Sequence, residues 1–79
     1  MSKYENYLYD LGFELKNMAL EARRERDAAL PDSAERQFHS GRTLAYYEVI
    51  STMQGLSEGF EILLSELRLD DIKPDRDLT

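Results

Sequence analysis

The chain has 79 residues, no cysteine or tryptophan, one histidine, and 16 acidic against 10 basic side chains, for a formal net charge of −6. Without cysteine it cannot form a disulfide, a thiolate metal site or a thiol nucleophile. The acidic balance argues against nucleic-acid binding, which depends on basic side chains. A domain this small buries little surface and usually needs a staple, a metal or a partner. We therefore expect a partner chain.

The distribution of apolar residues also bears on location. No apolar run approaches the length of about 18 residues that indicates a membrane-spanning helix. The first residues, Met1-Ser2-Lys3-Tyr4-Glu5, lack the basic-then-apolar layout of a secretory signal. We expect a cytoplasmic protein with no membrane partner and no cofactor.

The first part of the chain predicts a long amphipathic helix over about residues 4–29. Its apolar residues recur at alternating spacings of four and three, the pattern of a heptad seam. These residues are Tyr4, Leu8, Leu11, Leu15, Met18 and Ala22. Tyr9, Phe13 and Leu20 fall on the opposite side of the same helix. A helix that is apolar on two sides needs cover on both, which one antiparallel helix does not supply.

A break at Leu30-Pro31-Asp32-Ser33 separates this helix from a second one, predicted over about residues 33–60. A residue that precedes proline is pushed out of helical geometry, and Asp32 or Ser33 can cap the next helix. The second helix also has a wide apolar side. Because a short loop joins two helices of similar length, we expect an antiparallel hairpin.

The rest of the chain predicts a short helical turn over about residues 64–69 and an acidic tail at 70–79 that is extended or frayed. Residues 1–69 are then a single helical-hairpin domain. The predicted fold is all-α: an antiparallel two-helix hairpin with a short C-terminal helical turn, which dimerises into a four-helix bundle.

We assign the two apolar sides of the hairpin to different contacts. The residues predicted to form the core within one chain are Leu8, Leu11, Leu15, Met18, Phe38, Ala45, Val49, Leu56 and Phe60. The residues predicted to form the dimer contact are Phe13, Leu20, Tyr46, Ile50 and Met53.

A polar stripe runs beside the apolar side of the second helix and consists of Glu35, His39, Arg42 and Tyr46. A carboxylate, an imidazole, a guanidinium and a phenol in a row could bind a small anion or transfer protons. The same spacings also produce ordinary side-chain pairs on a helix surface, which is the interpretation we favour. One histidine without a second ligand nearby is not a metal site. We predict no catalytic, cofactor or metal site, and no enzyme.

The segment Gly41-Arg42-Thr43-Leu44-Ala45-Tyr46-Tyr47-Glu48-Val49-Ile50-Ser51 resembles a segment on a long helix of small uncharacterised bacterial proteins. Those proteins carry a Gly-Arg-x-x-Ala-Tyr-Tyr-Glu-Val-Ile-Ser-like motif and tend to end in a Pro-Asp-Arg-Asp-Leu stretch, present here as Pro74–Leu78. The resemblance covers residues about 38–62 and 70–78. It implies a helical hairpin, no established activity, and a glycine at the position that Glu61 occupies here.

Three functions are consistent with the sequence. The first is a small structural or adaptor protein that acts through protein–protein contacts as a homodimer. The second is an accessory regulator, antitoxin-like or associated with a mobile element, whose acidic tail engages a basic protein. The third is a small-anion binder at the polar stripe.

Overall fold

The computed structural model describes residues 2–79, in which two long helices pack against each other and a folded C-terminal segment follows. Helix α1 spans Lys3–Ala28 and helix α2 spans Ala34–Gly59. A 3-10 helix then spans Leu64–Leu67, and the short helix α3 spans Pro74–Asp77. The predicted all-α fold of two packed helices with a short C-terminal turn is confirmed. The residues described contain no strand.

Serine side chains cap both long helices. The Ser2 hydroxyl accepts a hydrogen bond from the Glu5 amide at 3.1 Å while the Glu5 carboxylate accepts one from the Ser2 amide at 3.3 Å, which is a complete capping box. Ser33 caps α2 by accepting from the Arg36 amide at 3.1 Å and closes the loop by donating to the Leu30 carbonyl at 2.6 Å. Asp32 instead occupies the left-handed region with φ 63°.

Helix α2 ends in a Schellman motif centred on Glu61. The Ile62 amide donates to the Ser57 carbonyl at 2.8 Å, and the Glu61 amide donates to the Glu58 carbonyl at 3.1 Å. These bonds require a left-handed residue between them, and Glu61 has φ 57°. Glycine adopts this conformation most easily, which agrees with the glycine that the resemblance implies here.

The C-terminal segment 62–79, which we call the strap, folds back along one side of the hairpin. Along α1 the strap passes Gly12 with its Leu67 carbonyl, then Lys16 with Asp71, whose side chains pair at 3.0 Å. Its last residue reaches Arg26, which donates to the Thr79 carbonyl at 3.4 Å. Residues 70–79 are therefore not an extended or frayed tail.

The buried apolar core lies between the hairpin and the strap. It consists of Ala19, Ile50, Leu67, Leu69, Ile72 and Leu78. Four of these six side chains come from the strap, so the strap is the main apolar cover of the hairpin. The acidic residues between them point outward, which is why the composition of this segment concealed its packing.

The prediction of which apolar side forms the core was wrong. Most of the residues assigned to the intrachain core are substantially exposed: Met18 (46%), Phe38 (64%), Val49 (43%), Leu56 (58%) and Phe60 (73%). Ile50, which was assigned to the dimer contact, is fully buried. The reason is that the strap packs on the side assigned to a second chain, while Met18 of α1 and Phe38, Val49 and Leu56 of α2 stay exposed on the other side.

Two sets of polar contacts hold the strap in place. The Gln54 side-chain amide donates to the carbonyls of Leu69 and Ile72 at 3.1 and 3.0 Å. It therefore supplies hydrogen-bond partners for the two backbone carbonyls that flank this turn of the strap. The Arg68 guanidinium lies over the rings of Tyr9 and Phe13, 4.5 and 4.0 Å from their centroids. Such cation–π contacts contribute about 0.5–1 kcal/mol each where partly exposed.

The closest approach between strap and hairpin occurs at Gly12. A Cβ atom at this position would lie 1.7 Å from the Leu67 carbonyl oxygen. Helix α1 therefore accepts glycine in its interior, at about 1 kcal/mol relative to alanine, because only glycine lets the strap backbone lie this close.

We expect Gly12→Ala to lower the free energy of unfolding by about 1–3 kcal/mol, since backbone must move to relieve the overlap. The matched control is Gly55→Ala, where nothing lies within 4 Å of the added Cβ. The control should raise stability by up to about 1 kcal/mol through helix propensity. Urea unfolding followed by circular dichroism measures both, and equal effects would contradict the assigned contact.

Glycine substitutions at two left-handed positions should differ in their effect on stability. Glu61 is exposed, so Glu61→Gly should raise the free energy of unfolding by about 1 kcal/mol. Arg68, with φ 53°, should gain nothing from the same change because its guanidinium contacts are lost. Arg68→Ala loses the guanidinium contacts and still holds a side chain at a left-handed position. It should therefore be the least stable of the three variants in thermal unfolding.

Candidate functional site

The side of the hairpin opposite the strap is an uncovered apolar surface, which we call the open face. Helix α1 contributes residues spaced by three, four and seven, and α2 contributes residues spaced by seven, four and seven, so each set forms one stripe. The open face consists of Tyr4, Tyr7, Leu11 and Met18 from α1 and Phe38, Ala45, Val49 and Leu56 from α2. Six of these eight are large apolar side chains at least 43% exposed.

The open face runs the length of the molecule. The chain measures 45 × 21 × 16 Å, and the residues of the open face extend over most of the length of both long helices. Towards the loop, its stripes end at the paired charges of Glu25 and Arg42. Single exposed apolar residues are normal on proteins, whereas a contiguous patch of this extent indicates an interaction surface.

A polar cluster of Glu25, His39 and Arg42 lies at the loop end of the open face. The Arg42 guanidinium donates to the Glu25 carboxylate, and the same nitrogen lies 2.8 Å from His39 Nδ1. An arginine nitrogen can only donate, so Nδ1 accepts from Arg42 when the ring is in its Nε2–H form. The His39 side chain is 12% exposed.

The structure brings together only part of the predicted polar stripe. Arg42 and His39 are in contact, while Glu35 is 73% exposed and its carboxylate lies 3.9 Å from His39 Nε2. Tyr46 packs against the core. Sequence reasoning missed Glu25, the partner from α1. The predicted antiparallel hairpin could have found it, because a turn at residues 30–33 places Glu25 of the first helix within about one helical turn of Arg42 on the second.

The electrostatics of the cluster are those of a matched ion pair. The hydrogen bond that the Glu25 carboxylate accepts from Arg42 holds the pKa of the Glu25 carboxyl below its ordinary value of 4.5. The same bond raises the pKa of the Arg42 guanidinium. Glu25 already matches the positive charge of Arg42, and the Glu35 carboxylate lies 3.9 Å from His39 Nε2. The cluster therefore has no excess positive charge with which to hold an anion. It links α1 to α2.

The structure places the predicted dimer contact on the strap side of the hairpin. Ile50 is buried, and Leu20, Tyr46 and Met53 are half-buried against the core. Phe13 lies beneath the Arg68 guanidinium. These four side chains keep part of their surface exposed, whereas Ile50 has no exposed surface to offer a partner.

A groove of about 400 Å³ lies between α1 and the strap, lined by Glu5, Leu8, Tyr9, Ile62, Ser65, Glu66 and Leu67. Residues 2–79 contain no group of three or more side chains suited to hold a metal ion. Over the same residues, no helix combines the length and the apolar character needed to cross a membrane.

Comparisons with protein-family models, with curated proteins and with solved structures found no match to this chain. The functional inference therefore depends on the geometry of the surfaces described above.

We expect Glu25→Gln to reduce the pH dependence of stability in acid. Because the folded-state pKa of Glu25 is below 4.5, its ion pair contributes fully above that pH and the contribution is lost as the pH falls further. Urea unfolding at several values between about pH 2 and 7 measures this. Arg42→Gln, which removes the partner, should abolish the same component, and an unchanged pH profile in both variants would contradict the assignment.

Proposed function

We propose that this chain is a small structural or adaptor protein that acts through protein–protein contacts, with the open face as its docking surface. The observation that carries the proposal is the length of exposed, uncharged apolar surface on one side of the hairpin. Docking would remove Phe38, Val49 and Leu56 from water, and burial of each such side chain contributes about 1.5–3 kcal/mol.

The packing of the strap supports this assignment. The hairpin has two apolar sides, and the strap already covers one of them with Leu67, Leu69, Ile72 and Leu78. No residue among those described covers the other. An apolar side of a helix that water would otherwise reach calls for a partner.

The arrangement gives less support to the two alternatives. A regulator that binds a basic protein through a free acidic tail is disfavoured because residues 70–79 are docked, with Asp71 paired to Lys16 and Asp77 paired to Arg76. A small-anion binder at the polar stripe is disfavoured because Glu25 matches the charge of Arg42.

The proposal is tested by placing a photo-reactive benzoylphenylalanine at Val49 or, as a control, at Leu44 and irradiating the protein in cells. Both residues are exposed on α2, at 43% and 57%, but only Val49 lies on the open face. We expect a discrete higher-mass adduct from position 49 and none from position 44.

The adduct is then identified by mass spectrometry. An adduct with another copy or with a different protein supports docking at this face. Uncross-linked monomer at position 49, in cells and in concentrated purified protein, would overturn the proposal.

A further inference from the structure

We infer that the occupant of the open face is a second copy of this chain, with α1 of each copy lying over α2 of the other. This inference depends on the proposed function, since it names the partner at the same surface. It also replaces the dimer contact that the sequence predicted, because the strap covers that side.

The size of the open face matches what a stable dimer needs. A standard interface buries about 800 Å² on each partner. The broad side of the molecule measures 45 × 21 Å, which is roughly that area for each copy when most of the side is covered. A short peptide would cover only one of the two helices, whereas a second hairpin would cover both and complete a four-helix bundle.

Near the middle of the open face, side-chain size on α1 complements side-chain size on α2. Glu25 contacts His39 at one end of the hairpin, and Leu8 and Leu56 line one groove at the other. This register sets Met18 of α1 level with Tyr46 of α2, which is about 1.5 Å along the helix from Ala45. A two-fold axis parallel to the helices preserves these levels and places Met18 of one copy over Ala45 of the other.

The same operation places Leu11 of one copy over Thr52 of the other. The Thr52 hydroxyl donates to the Glu48 carbonyl at 2.7 Å within its own helix, so it makes no demand on a partner. Gly41 adds further room on α2, since nothing lies within 4 Å of where its Cβ would be. At these two levels a long side chain of α1 meets a short one of α2, and packing of large against small favours a close helix contact.

Charge favours this axis over the other two-fold arrangement. Asp10, Glu14 and Glu21 form an acidic row on the outer flank of α1. An axis perpendicular to the helices would lay α1 over α1 and bring the two rows together, and like charges brought together across an interface are costly. An axis parallel to the helices sets each row beside the outer flank of the partner's α2, where Gly41 and Gly55 alternate with the single carboxylate of Glu48.

Sedimentation equilibrium across a dilution series tests the dimer. We expect a species of twice the chain mass of 9.2 kDa. Leu56→Glu should raise the dissociation constant at least about 30-fold, as loss of an interface anchor does. Leu44→Glu is the matched control, because Leu44 and Leu56 are both on α2 with exposures of 57% and 58% but Leu44 lies off the open face. It should leave the dissociation constant unchanged.

Circular dichroism checks that both variants keep their helix content. Should Leu56→Glu unfold, Val49→Glu takes its place, since Val49 lies on the open face and the same result is expected. Equal effects of the open-face variant and the Leu44→Glu control would overturn the assigned surface.

The orientation is tested with single cysteines, which the native chain lacks. A Met18→Cys chain and a differently tagged Ala45→Cys chain are mixed, refolded together and mildly oxidised. We expect mainly the mixed disulfide dimer, because Cα atoms facing each other across packed helices come within disulfide reach. A disulfide dimer formed mainly by the Ala45→Cys chain alone would indicate α2 over α2, and a dimer that forms no disulfide would exclude the orientation.

Failure of this inference differs from failure of the proposed function. A monomer at all concentrations whose position 49 cross-links to a different protein in cells would overturn the second copy and leave docking at the open face standing. A monomer without any adduct would overturn both.

Discussion

The close contact between the Leu67 carbonyl and α1 at Gly12 is the constraint on which the rest of the structure depends. It brings the strap backbone onto the helix surface, where no Cβ would fit. Once Leu67 is seated, Leu69, Ile72 and Leu78 follow along the groove between the helices and bury against Ala19 and Ile50. The burial of these four strap side chains gives a cysteine-free chain of 79 residues a core of its own.

The seating of the strap decides what the hairpin presents to its surroundings. Both helices have more apolar surface than their mutual contact consumes, and the strap can cover only one side. The side it leaves uncovered is the open face, with Val49 near its centre and Phe38 and Leu56 towards its ends. The proposed docking surface is thus a consequence of how the chain packs within itself, because any residue that the strap covers is removed from possible interfaces.

The charges of the chain are arranged consistently with that division. Acidic side chains of the strap are used locally: Asp71 pairs with Lys16, and Asp75 accepts a hydrogen bond from Tyr47. That bond and the nearby carboxylate raise the pKa of the Tyr47 phenol. Glu25 and Arg42 neutralise each other beside the loop. These pairs are local, and the chain as a whole keeps a net charge of −6.

The sequence by itself determined the helices, their hairpin and the points where they end, because these follow from local rules. Heptad spacing, the break at Pro31 and the cap at Ser33 act within a few residues of the chain. Only the tertiary structure decided which apolar side is the core and which is open. Helical periodicity measures how wide an apolar side is but does not say what covers it. The strap has no period to read, and the role of Gly12 exists only once the Leu67 carbonyl lies against it.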